Sequence, residues 1–410
     1  MKKILFYAFV FLLIVRLEAQ NTLKMMDYNL LKFDETTDRK DDLKYILDSY
    51  KPDIFTVCEL ESEAASNVIL NECLNHDDVD FYSAADFHLN ESGYYTDLNQ
   101  MLYYNHQKLD LMAQTYLQTS VRDINKYTLK VLTDDLEDSS VYIEVYVAHL
   151  KSSSGDDNEE VRAEMVSVFT DDLKNVPADH YVIFTGDFNI YDSGEPAYVE
   201  LLDSTNAIVM VDPIDTPGNW HNNSSYASIH TQSTHEYGDD LFIGGGLDDR
   251  FDFIIISENI KSEDTRLNYV EDSYHAYGNN GTCFNQAITS SDCDGGTYDT
   301  TLRYHLYNMS DHLPVVMEMQ VEQELSVTEK YCQGNYVLSG ENPVCHYLQI
   351  EGEGSFPVTL KLYDVLGHQL ALIKHYNKSP IDISHLKSGV YFVNVSNKNY
   401  SQLIKFVKAD

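Results

Sequence analysis

Residues 181–189 read YVIFTGDFN. The run Tyr181–Phe184 has the continuous apolar character of a strand buried on both faces, and it stops abruptly in polar residues. Asp187 and Asn189 stand two positions apart, so continued extension predicts both side chains on one face. Open α/β sheets collect ligands at strand ends, where one carboxylate and one carboxamide can hold a proton, a metal or a phosphate. An Asx turn that closes the strand is the alternative for the same residues.

The flanking sequence is of α/β type. VYIEVYVAHLKSS (141–153) reads as a strand ending in His149, and residues 156–176 have helical spacing with acidic residues in the first turn, where the helix dipole favours them. Near the N-terminus, TLKMMDYNLL (22–31) predicts a strand ending at Asn29. RKDDLKYILDSYKP (39–52) predicts an amphipathic helix stopped by Pro52, and DIFTVCELE (53–61) a second strand ending at Glu59. Residues 66–76 read as helical. The stretches 81–88, 100–105, 111–119 and 127–133 read as tyrosine-rich strands. RFDFIIIS (250–257) and MSDHLPVVMEMQV (309–321) supply two more strands, the first carrying Asp252 and the second entered through Asp311 and His312. Residues 212–248, rich in Gly, Asn and Ser and holding the one tryptophan, read as a long functional loop. Beyond 340, short alternating strands with Gly-containing turns predict a small β-sandwich.

The chain has 410 residues, enough for a sizeable core and a second, smaller unit. Lys2, Lys3 and the apolar run Ile4–Val15, followed by a small residue at Ala19, predict a cleaved secretory signal over 1–19. The run is too short to span a membrane comfortably, and no transmembrane segment is expected after cleavage. Export permits disulfides. Cys283 and Cys293 flank a polar loop and are the first candidates, Cys332 with Cys345 the second. No CxxC pair is present, which argues against a structural zinc site. The net charge of −38 opposes diffuse binding to a polyanion and suits the gathering of divalent cations. Residues 361–410 carry seven Lys and three Asp, net +4, against −42 on the rest, which marks a separate C-terminal unit.

The polar strand ends form a chemical set. A hard divalent cation, Mg2+ or else Mn2+ or Ca2+, takes carboxylate oxygens, so Glu59 is the natural ligand with Asn29 and Asp311 assisting. His312 beside a buried Asp252 is held in one tautomer and stabilised when it takes a proton. Asp187 exchanges a proton with the attacking or leaving oxygen, Asn189 fixes its geometry, and His149 meets charge growing on phosphate. His221, His230 and His235 have no assigned role at this point.

MDYNLL, CELE, AHLKSS, GDFNI, RFDFIIIS and SDHLPV, in that order over residues 22–321, resemble the endonuclease/exonuclease/phosphatase superfamily. The resemblance implies a four-layer α/β sandwich with two mixed β-sheets, with Glu59 as main metal ligand, Asn29 beside it, His149 on the phosphate, Asp187 and Asn189 at the nucleophile and leaving group, Asp252 orienting His312, and Asp311 at the metal or phosphate. Asp97 is the candidate for the acidic partner that some members give the strand-end histidine. Repair of abasic sites is not expected, because no aromatic–basic insertion is present. ENPVCHYLQI, VTLKLYDVLGHQL, PIDISHLKSGVYFVNV and LIKFVK resemble the type IX secretion sorting domain of Gram-negative bacteria, which implies the type IX machinery as partner and a tail removed or attached at the surface. A carbohydrate-binding sandwich is the alternative, without an aromatic platform to support it.

The expected organisation is a signal peptide (1–19), a catalytic domain (20–321), a linker (322–340) and a sorting domain (341–410). The expected product is a monomeric, secreted or surface-bound, divalent-metal-dependent phosphodiester hydrolase, first of all an extracellular nuclease. A sphingomyelinase-like or other phosphoesterase is the first alternative, and a catalytically silent surface adhesion protein the second. An exposed aromatic hairpin in 212–248 favours lipid; a Lys/Arg rim around the cleft favours nucleic acid.

Overall fold

The buried run at 181–187 is one of the thirteen strands that, among the described residues, build two mixed sheets in the first of two compact units, Met1–Glu324 and Leu325–Asp410. The computed structural model describes residues 22–91, 97–133, 140–262, 265–322, 336–340, 342–352, 356–365, 367–396 and 401–409. The expected signal segment, most of the expected linker and Cys332 lie outside these residues.

In chain order the strands are β1 (Thr22–Phe33), β2 (Ile54–Leu60), β3 (Tyr82–Ala84), β4 (Asn99–Asn105), β5 (Leu109–Leu117), β6 (Ile124–Val131), β7 (Val141–His149), β8 (Tyr181–Asp187), β9 (Met210–Val211), β10 (Asp252–Ser257), β11 (Leu267–Tyr269), β12 (His275–Ala276) and β13 (Val315–Val321). One sheet runs β11-β13-β1-β2-β4-β3 with β12 on β13; the other runs β5-β6-β7-β8-β10-β9. Each sheet has one parallel pair, β1 with β2 and β7 with β8. Each of these pairs is joined through a helix, α1 (Lys40–Tyr50) in the first sheet and α2 (Asp156–Asp172) in the second. The sheets stack, with helices outside each, so the four-layer architecture is the expected one.

Strand alternation assigns the faces. Ile183, Ile254 and Val147 enter the core shared by the two sheets, whereas Val182, Phe184 and Phe253 pack toward Met165, Val166 and Phe169 of α2. The rings of Phe169 and Phe184 stack at 4.1 Å, worth about 0.5–1.5 kcal/mol beyond the area they bury. On the same strand Asp187 follows the parity of Ile183 and Thr185 and therefore points between the sheets. The glycine before it is required by close approach: a Cβ on Gly186, at φ 138°, would sit 1.8 Å from the Ala148 carbonyl oxygen of β7. Without that Cβ, β7 and β8 stay paired to their last residues, His149 opposite Asp187.

Two helices differ from expectation. Thr300–Met309 is helical, capped by the Asp299 side chain on Leu302 N–H, with Leu302, Leu306 and Met309 buried. Its Thr-, Tyr- and His-rich sequence has weak helical propensity, and burial of one face compensates. Pro196–Leu201 is a second short helix, with Pro at the first position. Cys283 and Cys293 are bonded. Among the described residues no helix is long and apolar enough to cross a membrane.

The second unit is all-β. Val358–Tyr363, Gln369–Tyr376, Gly389–Ser396 and Ser401–Lys408 form a four-stranded sheet, and two two-stranded ladders accompany it. Leu348, Ile350, Leu360, Val393, Val395 and Phe406 make its core.

Candidate active site

The register of the second sheet sets the site in a row. Asp187 of β8 pairs with His149 of β7 on one side and with Asp252 of β10 on the other. Asp252 is the first residue of its strand rather than a residue inside it. His312, in the turn before β13, places Nδ1 2.8 Å from Asp252 Oδ2 and Nε2 3.8 Å from Asp187 Oδ2. His149 Nε2 approaches the same Asp187 oxygen at 3.4 Å. Asp187 thus lies between two imidazoles.

The first sheet closes over this row. Asn29 donates its Nδ2 to Asp187 Oδ2 at 3.0 Å and to Glu59 Oε1 at 3.2 Å, and its Oδ1 accepts Leu31 N–H. That N–H fixes which end of the amide faces the carboxylates. Asn29 as placed orients Glu59 and Asp187 with N–H groups, whereas the sequence reading had it lending an oxygen to a metal. Asn189 reaches Asp187 by a different route from the one alternation predicts. It lies past the strand end with φ 53°, and both its backbone N–H and its Nδ2 donate to Asp187 Oδ1. The turn and the functional reading are therefore the same geometry. Leu31, Lys32 and Glu59 also sit at positive φ, a strained conformation that costs of order 1 kcal/mol or more each and gathers at functional sites.

Asp311 is buried. Its Oδ2 accepts Ile243 N–H at 3.2 Å, and its Oδ1 has no hydrogen-bond partner among the described residues. Glu59, His149, Asp187, Asn189, Asp311 and His312 all line one cleft of about 430 Å³, with Asn29 and Asp252 held against its wall by the bonds above. All eight nominated residues come together. Asp97 stays exposed; His149 Nδ1 is buried without a partner among the described residues.

Crowded carboxylates dominate the electrostatics. Burial pushes the Asp187 carboxyl up to about 7, with Asp252 and Glu59 adding to the push and His312 opposing it. Burial likewise raises Asp311. Burial alone would hold His312 neutral, but Asp252 and Asp187 outweigh it and lift its pKa well above the ordinary histidine value. His149 goes the other way: burial and the nearby Arg122 hold it neutral, so it offers a hydrogen bond and not a charge. Excess negative charge, an orphaned buried carboxylate oxygen and an oxygen-rich donor set fit a hard divalent cation. The ligand atoms of Glu59, His149 and Asp187 lie within 4.8 Å of one another.

Several cleft residues had no place in the sequence reading. Lys32, Arg122, Tyr191, Phe251 and Gln232 line the cleft. Asp27 lies beneath it, fully buried, with Thr56 Oγ1 at 2.6 Å from its Oδ1. The alternation that picked Asn29 from MDYN also picks Asp27; nothing local marks Gln232. His230 is buried between the carbonyls of Trp220 and Leu247 and so serves the loop's own packing, whereas His235 stacks between Phe242 of the loop and Tyr307 of the helix Thr300–Met309. His221 is exposed and pairs with Asp249 at 2.8 Å.

Residues 342–409 match the family model described as a secretion system C-terminal sorting domain. The chain ends in a sorting domain of that kind. Such a domain directs export through the type IX secretion machinery to the cell surface or the medium. None of the curated proteins matches the sequence. Among solved structures, TDP2 of D. rerio complexed with a single-strand DNA product is similar at 18% identity, with 73% of this chain and 99% of that one covered and a TM-score of 0.46. The human Nocturnin catalytic domain with bound sulfate gives 16%, 74%, 94% and 0.46. An endonuclease/exonuclease/phosphatase family protein of Bacteroides thetaiotaomicron gives 14%, 74%, 96% and 0.44.

Proposed function

We propose that the chain is an exported, divalent-cation-dependent hydrolase of phosphodiesters. The observation that carries this reading is the single cleft in which Asp187, held by Asn29 and Asn189, faces the Asp252–His312 dyad, Glu59 and the unpartnered Asp311 oxygen. Asp187 takes a proton from the attacking water, a role suited to a carboxylate whose pKa lies near neutrality. Asn29 and Asn189 occupy both Asp187 oxygens and so fix the direction in which it accepts that proton. His312, charged and steadied by Asp252, faces the phosphate with Nε2 and opposes the charge that grows there. His149 adds a neutral N–H from the other side. Glu59 and Asp311 would hold a cation such as Mg2+, Mn2+ or Ca2+, which when bound polarises the phosphoryl oxygen.

Two substrate readings are separable. The extracellular-nuclease reading rests on the order of the sequence motifs, HLKSS included. A specific observation favours the phospholipid reading. The loop 236–246 exposes Tyr237 (79%), Leu241 (41%) and Ile243 (60%), and the last two line the mouth of the cleft beside Phe251 and Leu98. The same loop carries Glu236, Asp239 and Asp240, which repel a polyanion. Arg122, in the cleft wall, already donates to the carbonyl oxygens of His149 and Leu150. The test is one panel: DNA, RNA, sphingomyelin, phosphatidylcholine vesicles and inositol phosphates, each offered with Mg2+, Mn2+ or Ca2+. Release of phosphorylcholine exceeding nucleic-acid cleavage selects the lipid reading. The reverse selects the nuclease, and no hydrolysis of any member refutes the hydrolase.

A further inference from the structure

Asp252 and His312 lie 60 positions apart, and what brings them into contact comes from neither segment. Thr231, inside the loop 212–248, stitches the two together. Its Oγ1 accepts the N–H groups of Phe251 and Asp252 at 3.1 and 3.2 Å, and its carbonyl accepts Leu313 N–H at 2.7 Å. The next residue, Gln232, is pinned along its backbone to both sides, bridging Asp249 and His312. Its side chain then points into the cleft, with Nε2 2.7 Å from His312 Nε2 and 3.5 Å from Asp311 Oδ2.

We propose that Gln232 is a positioning residue for the dyad: Asp252 holds Nδ1 of His312, and the Gln232 amide, with its oxygen end turned to the ring, accepts the Nε2–H from the other side and shares it with the phosphate. An imidazole bonded at one nitrogen still rocks about that bond. A second bond across the ring fixes its plane, and with it the direction in which Nε2 meets the phosphate. A carboxamide is suited to this, because it carries a donor at one end and an acceptor at the other. The inference rests on the hydrolase reading given above, since it assigns Gln232 to the geometry of that site.

The test uses the full chain with saturating Mg2+, on whichever phosphodiester of the panel it hydrolyses. Gln232→Ala should lower kcat by about 10- to 100-fold and leave KM within about 2-fold, as misplacement of a catalytic group does. In a His312→Ala background the same substitution should change kcat by less than about 2-fold, because the group it positions is gone. Support for the fold alone would cost the same in both backgrounds, and equal losses overturn the proposal; so does parental kcat in Gln232→Ala. Absence of hydrolysis on every substrate refutes the function reading instead, and a second measurement then decides. In protein labelled with 15N-histidine, the Nε2 resonance of His312, identified by its loss in His312→Ala, should move in Gln232→Ala. An unmoved resonance overturns the assignment.

Discussion

The Asp252–His312 pair gives the sharpest quantitative expectation. Asp252 Oδ2 and His312 Nδ1 lie 2.8 Å apart, both buried, with the histidine held in its charged form. Unit charges at that distance attract by about 6 kcal/mol at an effective dielectric constant of about 20, and at about 1.4 kcal/mol per decade this caps the pair's kinetic value near 10⁴-fold. Loss of a positioned acid–base group costs about 10²–10⁴-fold, within the same bound. His312→Ala and Asp252→Ala should therefore each lower kcat by about 10²–10⁴-fold, and the double variant should be little worse than His312→Ala alone. The assay is single-turnover hydrolysis of a soluble chromogenic phosphodiester at saturating Mg2+, with circular dichroism confirming that each variant is folded. Fully additive losses, with the double variant slower than either single by the product of the two factors, refute the pairing. Near-parental turnover in His312→Ala removes the histidine from the chemistry.

Glu59→Gln should keep the fold and lose most activity, because a neutral amide is a poor ligand for a hard cation; chelation should abolish parental activity and added Mg2+ restore it. Equal turnover of parent and variant at limiting Mg2+ would misplace the ligand. Asp212→Asn should destabilise the first unit by about 3–5 kcal/mol in urea unfolding, since it strips a buried, bidentate partner from Arg250 at 2.7 and 3.0 Å. Burial raises the Asp212 pKa, but Arg250 more than offsets it and leaves it below the usual carboxylate value. This contribution is therefore fully present above the unfolded pKa of about 4 and fades as pH falls through the lower folded value. A variant whose stability matches the parent at pH 7 contradicts the argument. Deleting 341–410 should leave the protein active in cell lysates and missing from the medium and cell surface; secretion of the truncated chain would contradict the sorting role.

Much of the architecture was legible because the buried strands announce themselves. YVIFTGD and DFIIIS are apolar on both faces, and such runs have few alternatives. The site was legible to the extent that its residues sit at strand ends, as His149 and Asp187 do. What failed was geometry that local pattern does not encode. Asn189 was placed by alternation, yet a left-handed turn delivers it. Thr300–Met309 was missed because its helix is enforced by the face it buries and not by its propensity. Gln232 was invisible in principle: its role exists only once the loop meets residues 311 and 312, some 80 positions away.

The hydrogen bonds that tie the loop 236–246 to Asp311 and to Ser233 run through main-chain atoms of residue 243. Ile243 N–H binds Asp311, and its carbonyl accepts the Ser233 hydroxyl. The neck is closed the same way, by Gly246 N–H on His235 O and Gly245 N–H on Glu236 O. Main-chain atoms survive almost any substitution, so the side chains at the tip are an interchangeable tool head. Evolution, or a designer, can rewrite Tyr237, Leu241 and Ile243 to change what is brought to the cleft while the hydrolytic machinery beneath stays wired as it is.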